Sequence, residues 1–150
     1  MRKSLLLTAF LLLISTVTFA QKSGFGIGVI VGEPTGISAK KFLSNTTAID
    51  AAAAWSFKDE AALHIHADYL FHDYSLIKSR EGRIPFYYGI GGRIKLADDP
   101  LVGIRIPVGI AYEFEGAPVD IFVEVVPLLD LVPETEFDFN AALGVRFYVK

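Results

Sequence analysis

Phe137-Asp138-Phe139-Asn140-Ala141-Ala142-Leu143-Gly144-Val145-Arg146-Phe147-Tyr148-Val149 is the stretch that decides how this chain folds. Read at every second residue, it puts Phe137, Phe139, Ala141, Leu143, Val145, Phe147 and Val149 on one face. The other face carries Asp138, Asn140, Ala142, Gly144, Arg146 and Tyr148. A period of two marks a β-strand with unlike faces, because successive side chains point to opposite sides of the sheet. No charge stands on the first face. Leu101 to Phe114 repeats the pattern, with Val102, Ile104, Ile106, Val108, Ile110, Tyr112 and Phe114 set against Gly103, Arg105, Pro107, Gly109, Ala111 and Glu113.

Working outward from these two stretches, the same alternation runs from Gly24 to Lys150, and no stretch keeps a helical period. It predicts eight strands: Gly24 to Gly32, Gly36 to Leu43, Thr47 to Phe57, Leu63 to His72, Pro85 to Leu96, Leu101 to Phe114, Val119 to Leu129 and Glu136 to Tyr148. Most breaks are clusters of turn formers, such as Glu33-Pro34-Thr35, Ser44-Asn45-Thr46 and Glu115-Gly116-Ala117-Pro118. The longest connection is Asp73 to Ile84. Pro107 lies inside the sixth predicted strand, where it removes a ladder donor, so a bulge is expected there.

Alternation alone also suits a soluble antiparallel barrel or sandwich with its apolar face inward. Side-chain size separates the two. An eight-stranded barrel is only just wide enough inside for its own side chains. The glycines Gly24, Gly26, Gly28, Gly32, Gly89, Gly91, Gly103, Gly109 and Gly144 share the polar face, whereas Trp55, Tyr69, Phe71, Phe86, Tyr88, Phe114 and Phe137 share the apolar one. The glycine-rich face is therefore the concave one, and the aromatic face points outward into lipid. The expected fold is an all-β, eight-stranded antiparallel up-and-down transmembrane β-barrel. If the first strand runs away from the terminal rim, Phe25, Tyr69, Phe71, Phe86, Tyr88, Tyr112, Phe114 and Phe147 form one aromatic belt. Trp55, Phe57, Phe137 and Phe139 form the other.

The first twenty residues read as an export signal. Arg2 and Lys3 precede the apolar run Leu5 to Ile14, and Thr18-Phe19-Ala20 ends in small residues before Gln21. A ten-residue run is too short to cross a bilayer as a helix, which takes roughly 20 residues. Residues 1–20 are thus expected to be cleaved, and 21–150 to form one domain. A Gram-negative-type outer membrane is the expected location, with its lipid as the surrounding partner. The composition is 52% hydrophobic with mean hydropathy +0.43, yet the apolar residues beyond Ala20 are dispersed. Leaving out Arg2 and Lys3 takes the net charge from −3 to −5, which gives no basic footprint for nucleic acid. There is no cysteine, which excludes disulfides and a cysteine-linked lipid anchor.

Pro85-Phe86-Tyr87-Tyr88-Gly89-Ile90-Gly91-Gly92-Arg93 and Val119-Asp120-Ile121-Phe122-Val123-Glu124-Val125 resemble strands of small outer-membrane barrels of the OmpA/OmpX-like type. More closely, Gly32-Glu33-Pro34-Thr35-Gly36 and His66-Ala67-Asp68-Tyr69-Leu70 resemble patterns shared by an uncharacterised family of such barrels. The resemblance implies a fold and no reaction. Two features depart from the type: the chain ends Phe147-Tyr148-Val149-Lys150 without a terminal aromatic, and its longest connection falls at the rim where turns are normally short.

On the inner face the alternation places Lys40, Arg93, Lys95, Arg105 and Arg146 with Asp50, Asp68, Glu113, Asp120, Glu124 and Asp138. Near balance in a narrow interior implies mutual pairing and a closed lumen, whereas an aqueous pore needs many more strands. Gly91-Gly92-Arg93, Gly103-Ile104-Arg105 and Gly144-Val145-Arg146 repeat a Gly-x-Arg element in which glycine makes room for the guanidinium. An anion site is the alternative for these arginines. His64, His66 and His72 share the inner face of the fourth strand. Strand neighbours two apart are separated by about 7 Å, so a metal would need further ligands from adjacent strands. Paired lumen histidines are the expectation, with no metal or cofactor. Ser56, His64 and Asp50 contain the residue types of a hydrolytic triad, but sequence does not give their geometry.

The reading that results is a non-enzymatic barrel with a structural or interaction role. The alternatives are a lipid-modifying enzyme of the outer membrane and a soluble periplasmic barrel that binds an apolar ligand.

Overall fold

The computed structural model describes residues 24–56 and 62–149. The expected signal peptide and Phe57 lie outside the described residues. The strands are β1 (Phe25–Gly32), β2 (Thr35–Phe42), β3 (Thr47–Ser56), β4 (Ala62–Asp73), β5 (Gly82–Arg83), β6 (Phe86–Leu96), β7 (Leu101–Arg105), β8 (Val108–Phe114), β9 (Val119–Val132) and β10 (Glu136–Val149). All pairings are antiparallel, and β1 pairs with β2 on one side and with β10 on the other, so the sheet closes on itself.

The ten segments make eight barrel strands. Against β8, the register set by Gly82↔Phe114 and Arg83↔Glu113 continues unshifted into Phe86↔Ile110, so β5 and β6 are one strand interrupted at Ile84-Pro85. In the same way β7 and β8 are one strand interrupted at Ile106-Pro107, because Arg105↔Leu128 and Val108↔Val125 keep one register against β9. Proline causes both interruptions by removing a ladder donor. The protein is an eight-stranded antiparallel β-barrel.

Pro107 does not carry the expected bulge. Its carbonyl still accepts from the Gly89 amide at 3.0 Å, and the Ile106 amide donates to the Pro127 carbonyl at 3.0 Å. One missing donor breaks the ladder locally without forcing in an extra residue. The register shift lies instead between Val102 and Gly103, which pair with Val132 and Asp130 and leave Leu131 as the additional residue.

Predicted strand ends move by a few residues. The seventh runs to Val132 instead of Leu129, which turns Asp130 into the interior. The fifth begins at Gly82, so the long connection shrinks to residues 74–81. That connection lies at the rim that holds both ends of the barrel sheet, since Asp73 pairs with Phe86 there and Phe25 with Val149.

The faces fall as the alternation reads them. Lys40, Arg105 and Arg146 are among the most buried side chains, at 2% exposure or less, whereas Ile37 and Phe137 are about 60% exposed. Apolar inward residues form two clusters. One joins Ile30, Ala52, Ala54, Leu70, Tyr87, Ala111 and Phe122, and the other joins Phe42, Ala48 and Tyr148 near the terminal rim.

Candidate functional site

The interior is organised by three arginines, each of which reaches over a glycine on the neighbouring strand to a partner one strand further on. Arg105 on β7 pairs with Gly91 on β6, Gly91 pairs with Asp68 on β4, and Arg105 Nε donates to Asp68 Oδ1 at 2.9 Å. Arg93 crosses Gly103 to Asp130, with Nε to Oδ1 at 3.0 Å and Nη2 to Oδ2 at 2.6 Å. Arg146 crosses Gly28 to Ser38, with Nε to Oγ at 2.9 Å, and gives Nη2 to Asp50 Oδ2 at 3.1 Å. The glycines that make room are thus Gly28, Gly91 and Gly103, across the strand pair. This corrects the Gly-x-Arg reading, since the glycine two residues before Arg146 serves another purpose: Gly144 accommodates the ring of Phe122. The Arg146 guanidinium in turn lies 3.9 Å from the Phe122 ring centroid.

Tyrosines hold two further carboxylates. The Tyr87 hydroxyl donates to Glu124 at 2.8 Å over Gly109, and the Tyr148 hydroxyl donates to Asp120. Arg105 Nη2 also approaches Glu124 at 3.6 Å, and Arg146 Nη1 approaches Asp120 at 3.9 Å. At the terminal rim Glu113 receives Arg83 and the Tyr74 hydroxyl, which bonds at 2.9 Å. Burial, and next the Glu113 charge, push the Tyr74 phenol well above its ordinary range, so it remains a donor. At the opposite rim Asp138 is half-buried, 3.8 Å from Arg93 Nη2, and Lys95 is half-buried.

Lys40 faces Asp50 in register, yet its ammonium donates to His72 Nε2 at 2.7 Å. His72 Nδ1 donates to the Thr46 carbonyl at 3.2 Å, which fixes that ring's tautomer. His64 and His66 meet separately, Nε2 to Nδ1 at 3.2 Å with edge-to-face rings. The three histidines therefore divide into a pair and a single residue. Ser56, His64 and Asp50 are not brought together as a triad: Ser56 Oγ donates to Glu33, His64 bonds His66, and Asp50 bonds Arg146.

Sequence reasoning missed Asp130, Ser38, Tyr87, Tyr148, Arg83 and Tyr74. Parity along β9 carries Asp130 to the same face as Asp120 and Glu124, and that signal was available once the strand was extended past Leu129. Arg83 and Tyr74 carry none, because both fall in the connection that the sequence predicts from Asp73 to Ile84.

Buried Asp50 Oδ1, His64 Nδ1, Arg105 Nη1, Asp120 Oδ1 and Asn140 Nδ2 have no hydrogen-bond partner among the described residues. Asp50 Oδ1 and Asp120 Oδ1 are unserved acceptors, whereas Arg105 Nη1 and Asn140 Nδ2 are unserved donors.

The barrel is similar in fold to the N-terminal β-barrel domain of Pseudomonas aeruginosa OprF. The two align with a TM-score of 0.64 over 85% of this chain and 98% of that one, at 14% identity. The likeness supports the barrel architecture that the sequence resemblance implied. No protein-family model and no curated protein matches the sequence.

Proposed function

We propose that this chain is a small outer-membrane β-barrel, exported by a cleaved signal, with a structural or interaction role and a salt-bridged, non-conducting lumen. One observation carries the reading: the protein is inverted relative to a water-soluble domain. Arginine, lysine and aspartate fill its centre, while Ile27, Val29, Ile37, Ile65, Ile90, Ile110, Val123 and Leu143 stand exposed around its waist. An apolar band of this extent is not kept in water, and a closed barrel leaves no unpaired edge to forbid it in hydrocarbon.

Aromatic pairs sit at the ends of the band. Tyr69 with Phe71, Phe71 with Tyr88 and Tyr112 with Phe114 gather towards the terminal rim, and Phe137 with Phe139 lies towards the other. That placement fits the interfacial girdles of membrane barrels. The closer kinship to barrels sharing Gly32 to Gly36 and His66 to Leu70 belongs to the same proposal. Short connections leave the rims as the surfaces for contact with other envelope components.

Cell fractionation combined with the mobility of boiled and unboiled protein tests the reading. The unboiled protein should migrate as a compact species from the outer-membrane fraction and resist extraction by carbonate or urea. Recovery in the soluble periplasmic fraction would overturn it.

A further inference from the structure

Asp50, His66 and Asp68 are all buried, and each brings a ligand-capable atom to within 4.8 Å of the others. Asp50 and Asp68 are direct partners across β3 and β4, and His66 stands two residues along the same inward face, opposite the small Ala52. Like charges placed directly opposite on neighbouring strands repel. The cations available to relieve this pair are few. Arg105 holds Asp68 but also lies 3.6 Å from Glu124, and Arg146 holds Asp50 but also lies 3.9 Å from Asp120. Lys40, the register partner of Asp50, gives its ammonium to His72. Four carboxylates therefore share two guanidiniums, and Asp50 Oδ1 has no hydrogen-bond partner.

The imidazole points the same way. His66 Nδ1 is 3.2 Å from His64 Nε2, while His66 Nε2 is 3.9 Å from Asp68 Oδ2, too far for a hydrogen bond. With the ring hydrogen on Nδ1 and donated to His64, Nε2 turns a lone pair toward the carboxylates. A cation between them converts that repulsion into coordination. A hydrogen-bond acceptor on the far nitrogen is how metal-bound histidines are oriented.

We propose that Asp50, His66 and Asp68 are the ligands of a divalent first-row transition ion, with His64 as the residue that positions His66. One imidazole and two carboxylates suit such an ion, and it adds positive charge where Asp50, Asp68, Asp120 and Glu124 outnumber Arg105, Arg146 and Lys40. Zinc holds these ligand types at about 2.0–2.2 Å, so the ligand atoms would close to roughly 3.3 Å apart and leave a fourth position for water. His72 takes no part, being bonded to Lys40 and Thr46.

The test uses untagged mature protein in detergent, stripped with chelator and titrated with zinc sulfate by calorimetry. X-ray absorption at the zinc edge is then recorded on the loaded barrel. One zinc per chain is expected, with a spectrum that shows one imidazole among oxygen ligands. His66→Ala and Asp50→Asn should each weaken binding by at least about 100-fold, and His64→Ala by about 10–100-fold. His72→Ala should leave the affinity unchanged. Heat-modifiable mobility establishes that each variant still forms the barrel. If His66→Ala does not, the wild-type absorption spectrum decides, since it either contains the imidazole or does not. Absence of stoichiometric zinc, a spectrum without imidazole, or full affinity in a folded His66→Ala would each overturn the proposal.

Discussion

Gly91 and Gly92 are adjacent and do opposite things. A Cβ on Gly91 would meet the Asp68 backbone at 2.7 Å and intrude on the Asp68 carboxylate, closing the passage by which Arg105 reaches that carboxylate. On Gly92 a Cβ would point outward, with the Gly103 carbonyl oxygen, 3.7 Å away, as its nearest neighbour. Gly91→Ala should therefore cost about 1–3 kcal/mol, the usual penalty for overfilling a packed interior. Gly92→Ala should be neutral or slightly stabilising, because it removes only unfolded-state freedom, within about 0.5 kcal/mol. Urea unfolding in detergent, followed through Trp55, the only tryptophan, measures both. Equal losses at the two positions would contradict the assignment of faces. A second residue-scale expectation concerns Arg105. Arg105→Leu strands Asp68 in a buried setting, and breaking a buried pair from one side costs about 3–5 kcal/mol. Asp68→Asn in the same background should recover part of that loss in the urea midpoint, because it removes the stranded charge.

Among the elements, the weak seam lies around the fifth and sixth barrel strands. Pro85 and Pro107 keep their carbonyls in the ladder, accepting from Ala111 at 3.1 Å and Gly89 at 3.0 Å, but return no donor. Pro127 does the same beside Ile106. The β3 and β4 pair, by contrast, runs through ten consecutive partners from Thr47↔Phe71 to Ser56↔Ala62. Amide hydrogen exchange should find the Gly89 and Ala111 protons released before those of Ile49, Ala51 and Ala53. Uniform protection around the barrel would show that the prolines do not weaken it.

The same elements show what the sequence could disclose. Alternation in Leu101 to Phe114 and Phe137 to Val149 gave strand type, inward face and the eight-strand count, because burial on a sheet follows parity whatever the partner. It could not give the pairings. Which glycine faces which arginine is a matter of register between strands as far apart in sequence as those of Gly28 and Arg146. The within-strand Gly-x-Arg pattern therefore pointed to Gly144, where Gly28 was the answer. Pro107 looked like a bulge site because parity says nothing of how many bonds a strand can lose. The grouping of Asp50 with His66 and Asp68 needed the β3 to β4 register as well.

At the scale of the whole molecule, the arrangement of charge inside and hydrocarbon outside makes two demands. The first concerns the lumen: with Arg83, Lys40, Arg93, Arg105 and Arg146 all engaged, purified protein in planar bilayers should give no steady conductance. Reproducible large single-channel steps would refute the closed interior. The second concerns what covers the exterior. Leu143 is exposed on the outer face and sits between Val31 and Val123, while Arg146, three residues on, is buried beside Ser38 and Asp50. If lipid covers the band, Leu143→Arg places a guanidinium in hydrocarbon, at about 2–4 kcal/mol near the bilayer midplane and less toward the rims. Since about 1.4 kcal/mol is tenfold in an equilibrium, that substitution should deplete the heat-modifiable species in the outer-membrane fraction by more than tenfold. Arg146→Leu leaves the outer face untouched and removes a cation from Asp50, so it should insert and show its loss as a lowered urea midpoint. Quantifying heat-modifiable protein in the membrane and soluble fractions for both variants separates the cases. Normal membrane assembly of Leu143→Arg together with exclusion of Arg146→Leu would mean that something other than lipid covers the apolar wall.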